Sequence, residues 1–151
     1  MKLEFLMEYT ANLNLPPRDT GGGPFGTRVL AVVTGGSFEG PRLKGTIWAG
    51  GGDWWLRDPD GVLRLDVRAT FETGDGALIY VQYYGVNRPD EDRSVPQPGE
   101  TSDYGDAYFM TAPRFETGDE RYTWLNGLVC VGEGKRTAQG VAYRVYAVMN
   151  D

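Results

Sequence analysis

Nine consecutive residues, Leu63-Arg64-Leu65-Asp66-Val67-Arg68-Ala69-Thr70-Phe71, alternate apolar and polar without a break. Side chains along a β-strand point to opposite faces with a period of two. Leu63, Leu65, Val67, Ala69 and Phe71 therefore share one face, and Arg64, Asp66, Arg68 and Thr70 share the other. A helix would scatter both sets around its circumference. The rest of the chain speaks the same way. Segments 27–33, 46–48, 62–73, 77–86, 108–111, 122–131 and 141–149 are rich in Val, Ile, Tyr, Trp, Phe and Thr, the residues that suit a pleated, half-buried surface.

Turn formers punctuate these segments: Gly21-Gly22-Gly23-Pro24, Gly35-Gly36, Gly50-Gly51-Gly52, Asp58-Pro59-Asp60-Gly61 and Thr73-Gly74-Asp75-Gly76. With 22 glycines and 9 prolines in 151 residues, no window of helical length is free of breakers or strong β formers. The spacing predicts one all-β domain over residues 1–151 with about eight to ten antiparallel strands. Closure into a barrel, lipocalin-like or cyclase-like, removes exposed strand edges; an open two-sheet sandwich is the alternative. Residues 14–26 and 87–106 read as irregular. The second stretch holds three prolines and six acids and is expected to be a mobile surface loop or a substrate-gating lid.

One pentapeptide recurs. Phe71-Glu72-Thr73-Gly74-Asp75 reappears as Phe115-Glu116-Thr117-Gly118-Asp119, which predicts two hairpins of like geometry, each leading into an aromatic strand. Aligned on the repeat, Tyr80 corresponds to Trp124 and Gln82 to Asn126.

The residues that are missing narrow the chemistry. The chain has no histidine, so Ser-His-Asp and Cys-His nucleophiles and imidazole-bound zinc are out of reach. Cys130 is the lone cysteine; it forms no internal disulfide and, among Leu128, Val129 and Val131, reads as a buried inert thiol. Asp58, Asp60 and Gly61 fit a hairpin turn better than a calcium loop, and Gly21-Gly22-Gly23 lacks the lysine of a phosphate-binding loop. Neither metal nor organic cofactor is expected. The 15 Lys+Arg against 21 Asp+Glu give a net charge of −6. The basic residues form no stripe, so nucleic acid and anionic membranes are unexpected partners. No apolar run approaches the ~20 residues that span a bilayer. The early acid in Met1-Lys2-Leu3-Glu4-Phe5 is unlike a signal sequence, and a cytoplasmic protein is expected.

Acid–base work then falls to carboxylates, tyrosines and arginines. Two arrangements satisfy the alternating strand: its polar face in water, or its polar face lining a barrel lumen. In the second, Asp66, Arg68, Tyr80, Gln82, Trp124 and Asn126 surround a pocket. Arginine stabilises a developing enolate, tyrosine donates a proton, and a carboxylate beside apolar rings can have its pKa raised into the working range. An apolar exterior would then need covering, so a homo-oligomer, most simply a dimer, is expected. Trp48-Ala49-Gly50-Gly51-Gly52-Asp53-Trp54-Trp55 is the second candidate. Its glycines allow a sharp bend or a close approach. They suit a bulged barrel corner with tryptophans filling the core, or a pocket mouth at which Asp53 acts as acid or base with an indole as stacking platform.

The ordered set Thr34-Gly35-Gly36-Ser37-Phe38-Glu39-Gly40-Pro41, Gly50-Gly51-Gly52-Asp53-Trp54, Asp60-Gly61, Asp66-Val67-Arg68, Gly76-Ala77-Leu78-Ile79-Tyr80 and Tyr122-Thr123-Trp124-Leu125-Asn126 resembles domain-of-unknown-function family 3237, found in bacteria and fungi. The resemblance covers nearly the whole chain. It implies a single antiparallel β-barrel and no settled activity, and its motifs fall on Asp53, Asp66, Arg68, Tyr80, Trp124 and Asn126.

The leading functional expectation is a cofactor-free acid–base enzyme of isomerase, cyclase or lyase type, acting on a small aromatic or polyketide-like molecule inside the barrel. Asp53 or Asp66 would be the base, Tyr80 the proton donor, and Arg68 and Asn126 the anion stabilisers. Trp54, Gln82, Tyr108 and Trp124 would join Asn126 in holding the substrate. The alternatives are a binding barrel without catalysis and a structural module with a filled core.

Overall fold

The computed structural model describes residues 1–89 and 98–151. Its strands are β1 (Lys2–Leu13), β2 (Arg18–Gly23), β3 (Gly26–Glu39), β4 (Lys44–Ile47), β5 (Gly52–Arg57), β6 (Leu63–Thr73), β7 (Leu78–Arg88), β8 (Tyr108–Glu116), β9 (Cys130–Thr137) and β10 (Gly140–Met149). A 3-10 helix at Thr123–Gly127 separates β8 from β9. All the strand pairings are antiparallel, in the circular order β1-β10-β9-β8-β7-β6-β4-β3, with β5 between β6 and the first half of β3. The β1–β3 pairing closes the ring, with Tyr9 opposite Phe38 and Ala11 opposite Gly36. A side chain at Gly36 would run into the backbone carbonyl of Thr10. Glycine there lets the seam of the barrel close.

The barrel interior is built by period-two alternation. On β6, Leu63, Leu65, Val67, Ala69 and Phe71 are buried, whereas Arg64 and Arg68 are exposed. The polar face of this strand therefore points to solvent, and its apolar face fills the lumen. This corrects the polar-lumen expectation, because burying two arginines would cost far more than burying the leucines recovers. It also removes the reason given for an oligomer, since the apolar face is already covered from within. On β7 the inward set is Ile79, Val81 and Tyr83, with Val81 opposite Ala69 and Tyr83 opposite Val67.

Two further expectations change. The stretch 14–26 is not wholly irregular, because β2 pairs with β3 as an exposed hairpin. The predicted strand over 122–131 is instead the 3-10 helix followed by the start of β9, so the two pentapeptides do not lead into equivalent strands. The repeat still has a shared role. Arg121 contacts Asp75 at 3.3 Å and Asp119 at 2.8 Å, and the Tyr122 hydroxyl donates to Asp75 at 2.8–2.9 Å. These bonds hold the 3-10 helix across one end of the barrel, where its Leu125 is 1% exposed. That end is closed. Residues 90–97 of the acidic stretch lie outside the described residues.

Candidate active site

The open end contains a cavity lined by Ala11, Leu13, Val33, Leu63, Leu65, Val67 and Phe109 together with a few polar groups. Its volume is ≈ 50 Å³, several times the ~10–15 Å³ that one water needs. Asp53 is the carboxylate in its wall.

Asp53 reaches this position through local backbone geometry. The turn from Trp48 to Gly51 is tied to β3 by hydrogen bonds from Val33 N to Gly51 O (2.8 Å) and from Gly50 N to Val33 O (2.9 Å). Gly50 has φ +111°, which a residue with a side chain rarely adopts. The glycines form a corner as expected, but of its three tryptophans only Trp55 packs into the core while Trp48 and Trp54 are exposed. The corner delivers β5 with Asp53 and Trp55 inward and Trp54 outward. Asp53 stands opposite Val67 and Ala31. Its Oδ1 accepts the backbone N–H of Asp66 at 3.0 Å.

Burial pushes the Asp53 carboxyl up from 3.8 to about 7; the Asp66 N–H acts in the opposite direction, and the Asp66 charge adds a smaller push upward. A carboxyl of this kind exchanges its proton near neutrality. Beside it three buried phenols form a cluster. The Tyr9 and Tyr143 ring centroids are 5.0 Å apart, and those of Tyr83 and Tyr143 are 5.5 Å apart. Burial raises all three well above the usual tyrosine range, with the Asp53 charge contributing. They are neutral donors at any physiological pH. Tyr83 and Tyr143 line the cavity. The Tyr9 hydroxyl behind them lacks a well-formed hydrogen bond.

Nearer the mouth, Asn87 stands opposite Leu63 on one side and Phe109 on the other. The Phe109 ring meets Tyr143 edge-on at 5.3 Å, and it fits because residue 134 is glycine: a Cβ there would lie 2.8 Å from the ring. The buried Arg136 guanidinium also lines the cavity and pairs with Glu100 at 2.7 Å. Ser102 is bonded to the Arg136 backbone in both directions, at 2.9 and 3.2 Å. The last part of the acidic stretch is thus docked against β9 beside the mouth.

Of the residues singled out from sequence, only Asp53 lines this cavity. Asp66 touches the site through its backbone N–H. Arg68 and Tyr80 lie together in a shallow outer depression with Trp48 and Thr70, and Tyr108 borders another beside Tyr84 and Met110. Trp54 is exposed and Gln82 is buried away from the cavity. Trp124 packs at the closed end with Arg42 3.7 Å over its ring. Asn126 bonds the Thr117 backbone twice, at 2.9 Å each. Tyr83, Asn87, Arg136 and Tyr143 were not foreseen, and Trp55, within the candidate segment 48–55, was passed over for Trp54. Counting by twos from Asp53 selects Trp55 rather than Trp54, and counting by twos along the aliphatic face of β7 selects Tyr83 and Asn87.

The comparisons agree with this architecture. The family model "protein of unknown function (DUF3237)" matches residues 1–148. A UPF0311 protein of Rhodopseudomonas palustris is 35% identical over 133 residues, covering 86% of this chain and 87% of that one. The crystal structure of a conserved protein of unknown function from the same species superposes with a TM-score of 0.90 at 30% identity, covering 98% of this chain and 97% of the other. A protein from Penicillium herquei named hydroalkoxylation enzyme phnH is 31% identical over 105 residues, which is 70% of this chain and 56% of that protein. No helix among the described residues is long and apolar enough to cross a membrane. Matched over almost its whole length, with the barrel and its closing seam in place, this chain belongs to the DUF3237 family.

Proposed function

We propose that this chain is an acid–base enzyme that isomerises a small aromatic, polyketide-like molecule by ring closure, with Asp53 as the group that carries the proton. The observation that carries this reading is a single carboxyl, buried in an otherwise apolar cavity wall, whose pKa is pushed up to about 7. The name of the fungal relative supports hydroalkoxylation as the reaction class: an O–H adds across a C=C bond within one molecule.

That chemistry matches what Asp53 can supply. Its neutral carboxyl gives a proton to one alkene carbon. The substrate hydroxyl oxygen bonds to the neighbouring carbon and loses its own proton, which returns to the Asp53 carboxylate. Atoms and electrons balance, and the substrate and product are isomers. The electron-rich rings of Tyr83 and Tyr143, which line the same cavity, stabilise the positive charge that develops on the alkene carbon, in a wall that excludes water.

The test uses ortho-prenylphenol and close analogues, following the cyclic ether isomer by chromatography with mass detection. The parent protein is expected to form product above the buffer rate, and Asp53→Asn to fall at least ~100-fold, the usual span for a general acid. Equal rates for parent and variant would overturn the assignment. Tight binding with no turnover of any analogue would leave a binding barrel.

A further inference from the structure

Two polar groups in the cavity wall have no partner of their own. The Trp55 Nε1 and the Asn87 Oδ1 are both buried without a hydrogen bond. Their residues are 5% and 7% exposed and both line the cavity. Buried polar groups are nearly always satisfied, so a pair left open at one site calls for a ligand that completes them. They lie on β5 and β7, on either side of β6. Leu63 stands opposite Asn87 in register and clusters with Trp55, so the two open groups flank one leucine of the wall.

Their chemistry is complementary. An indole N–H only donates, and an amide oxygen only accepts. A hydroxyl does both at once, accepting from the first and donating to the second; a carboxylate has nothing to donate. The surrounding surface is apolar and aromatic. Its one cation, Arg136, is already paired with Glu100. About four residues of β7 separate Asn87 from Tyr83, or roughly 13 Å between Cα atoms at ~3.3 Å per residue. A ligand clamped at Asn87 therefore extends over the apolar belt toward the Asp53 end.

We infer that Trp55 and Asn87 form a hydroxyl clamp, and that the site selects a neutral, flat hydroxyaromatic molecule over both its hydrocarbon and its carboxylate analogue. This rests on the cavity being the substrate site proposed above, and it adds two specificity-determining residues and the charge state of the ligand. The clamp anchors the far end of the molecule and so positions the rest of it along the belt toward Asp53.

Binding of β-naphthol, naphthalene and β-naphthoate to the full-length protein, measured by equilibrium dialysis at neutral pH, tests the inference. The parent is expected to hold β-naphthol at least ~10-fold tighter than either analogue. Trp55→Phe and Asn87→Leu should bring β-naphthol within about threefold of naphthalene while naphthalene binding is kept, which also shows that the variants fold. Asn87→Asp keeps an acceptor at the same position and should retain the preference, which covers failure of the leucine variant to fold. Equal binding of β-naphthoate by the parent, or an undiminished β-naphthol preference in both Trp55→Phe and Asn87→Leu, overturns the clamp. The outcomes are separable from those for catalysis. A naphthol preference without ring closure defeats the catalytic proposal alone. Ring closure with no naphthol preference defeats the clamp alone.

Discussion

The Asp53 carboxylate and the Asp66 backbone are joined by a 3.0 Å hydrogen bond from the Asp66 N–H to Asp53 Oδ1. The bond fixes the carboxyl on the lumen side of β5 while the strand that holds it, β6, turns its own charged side chains outward. One hydrogen bond is too little to keep a buried carboxylate ionised. Desolvation wins, and the group rises to about 7.

That balance makes stability fall as pH rises. Below about pH 4 the folded and unfolded chains both carry the proton, and the buried carboxyl imposes no charge penalty. Between about pH 4 and 7 only the folded chain holds it, and above that range the folded chain carries the full cost of a buried charge. A rise from 3.8 to about 7 corresponds to about 4 kcal/mol at its limit. Asp53→Asn keeps the acceptor for Asp66 N–H without the charge. It is expected to be more stable than the parent by up to ~4 kcal/mol near pH 8, with the gain shrinking toward pH 5. Urea unfolding at the two pH values measures it. A gain that does not change with pH would show that Asp53 is not buried as described.

The rate of ring closure should carry the same ionisation. If the neutral carboxyl is the acid, kcat/KM is flat at low pH and falls tenfold per pH unit above about 7. The phenols of Tyr83 and Tyr143 are raised well beyond that range, so no second group should bend the profile between pH 5 and 9. A rate that climbs through neutrality would instead make ionised Asp53 the working form, acting as base.

Arg68 and Tyr80 make a discriminating pair of controls. They lie on the outer surface, one strand's thickness from the cavity. Arg68→Ala and Tyr80→Phe are expected to leave ortho-prenylphenol turnover within about twofold and stability within ~0.5 kcal/mol, as for other surface changes. A large loss of turnover in either, with the fold intact, would move the active site to the outer face.

The outcome for these residues shows what the sequence could and could not say. Strand periodicity fixes which residues of β6 share a face, and Leu63 through Phe71 fall as alternation requires. It is silent on which face becomes the inside, because that depends on which strands close the ring. The β1–β3 seam that closes it joins residues about thirty positions apart, and no local signal near Tyr9 or Phe38 announces it. Asp53 was legible because the glycines before it mark a corner. Tyr143 and Asn87 were not, since each is one aromatic or polar residue within an ordinary strand, brought to the cavity only by the register of β7 and β10. The second pentapeptide misled for a related reason. Asp119 is recruited by Arg121 into a cap, so the same five residues end in a 3-10 helix rather than a strand.

The position of Gly134 couples core packing to the cavity. A methyl group there would sit 2.8 Å from the Phe109 ring, which is itself packed edge-on against Tyr143 and forms part of the cavity wall. The ring has to tilt toward the lumen or push β8 outward. Overpacking of this kind costs about 1–3 kcal/mol. Gly134→Ala should therefore lower stability by that amount and weaken β-naphthol and naphthalene together, because the wall moves while the Trp55 and Asn87 groups stay in place. Urea unfolding and equilibrium dialysis on the same sample measure the two effects. Loss of stability with unchanged binding of both ligands would mean that the Phe109 ring yields outward, and that the cavity is bounded by its other walls.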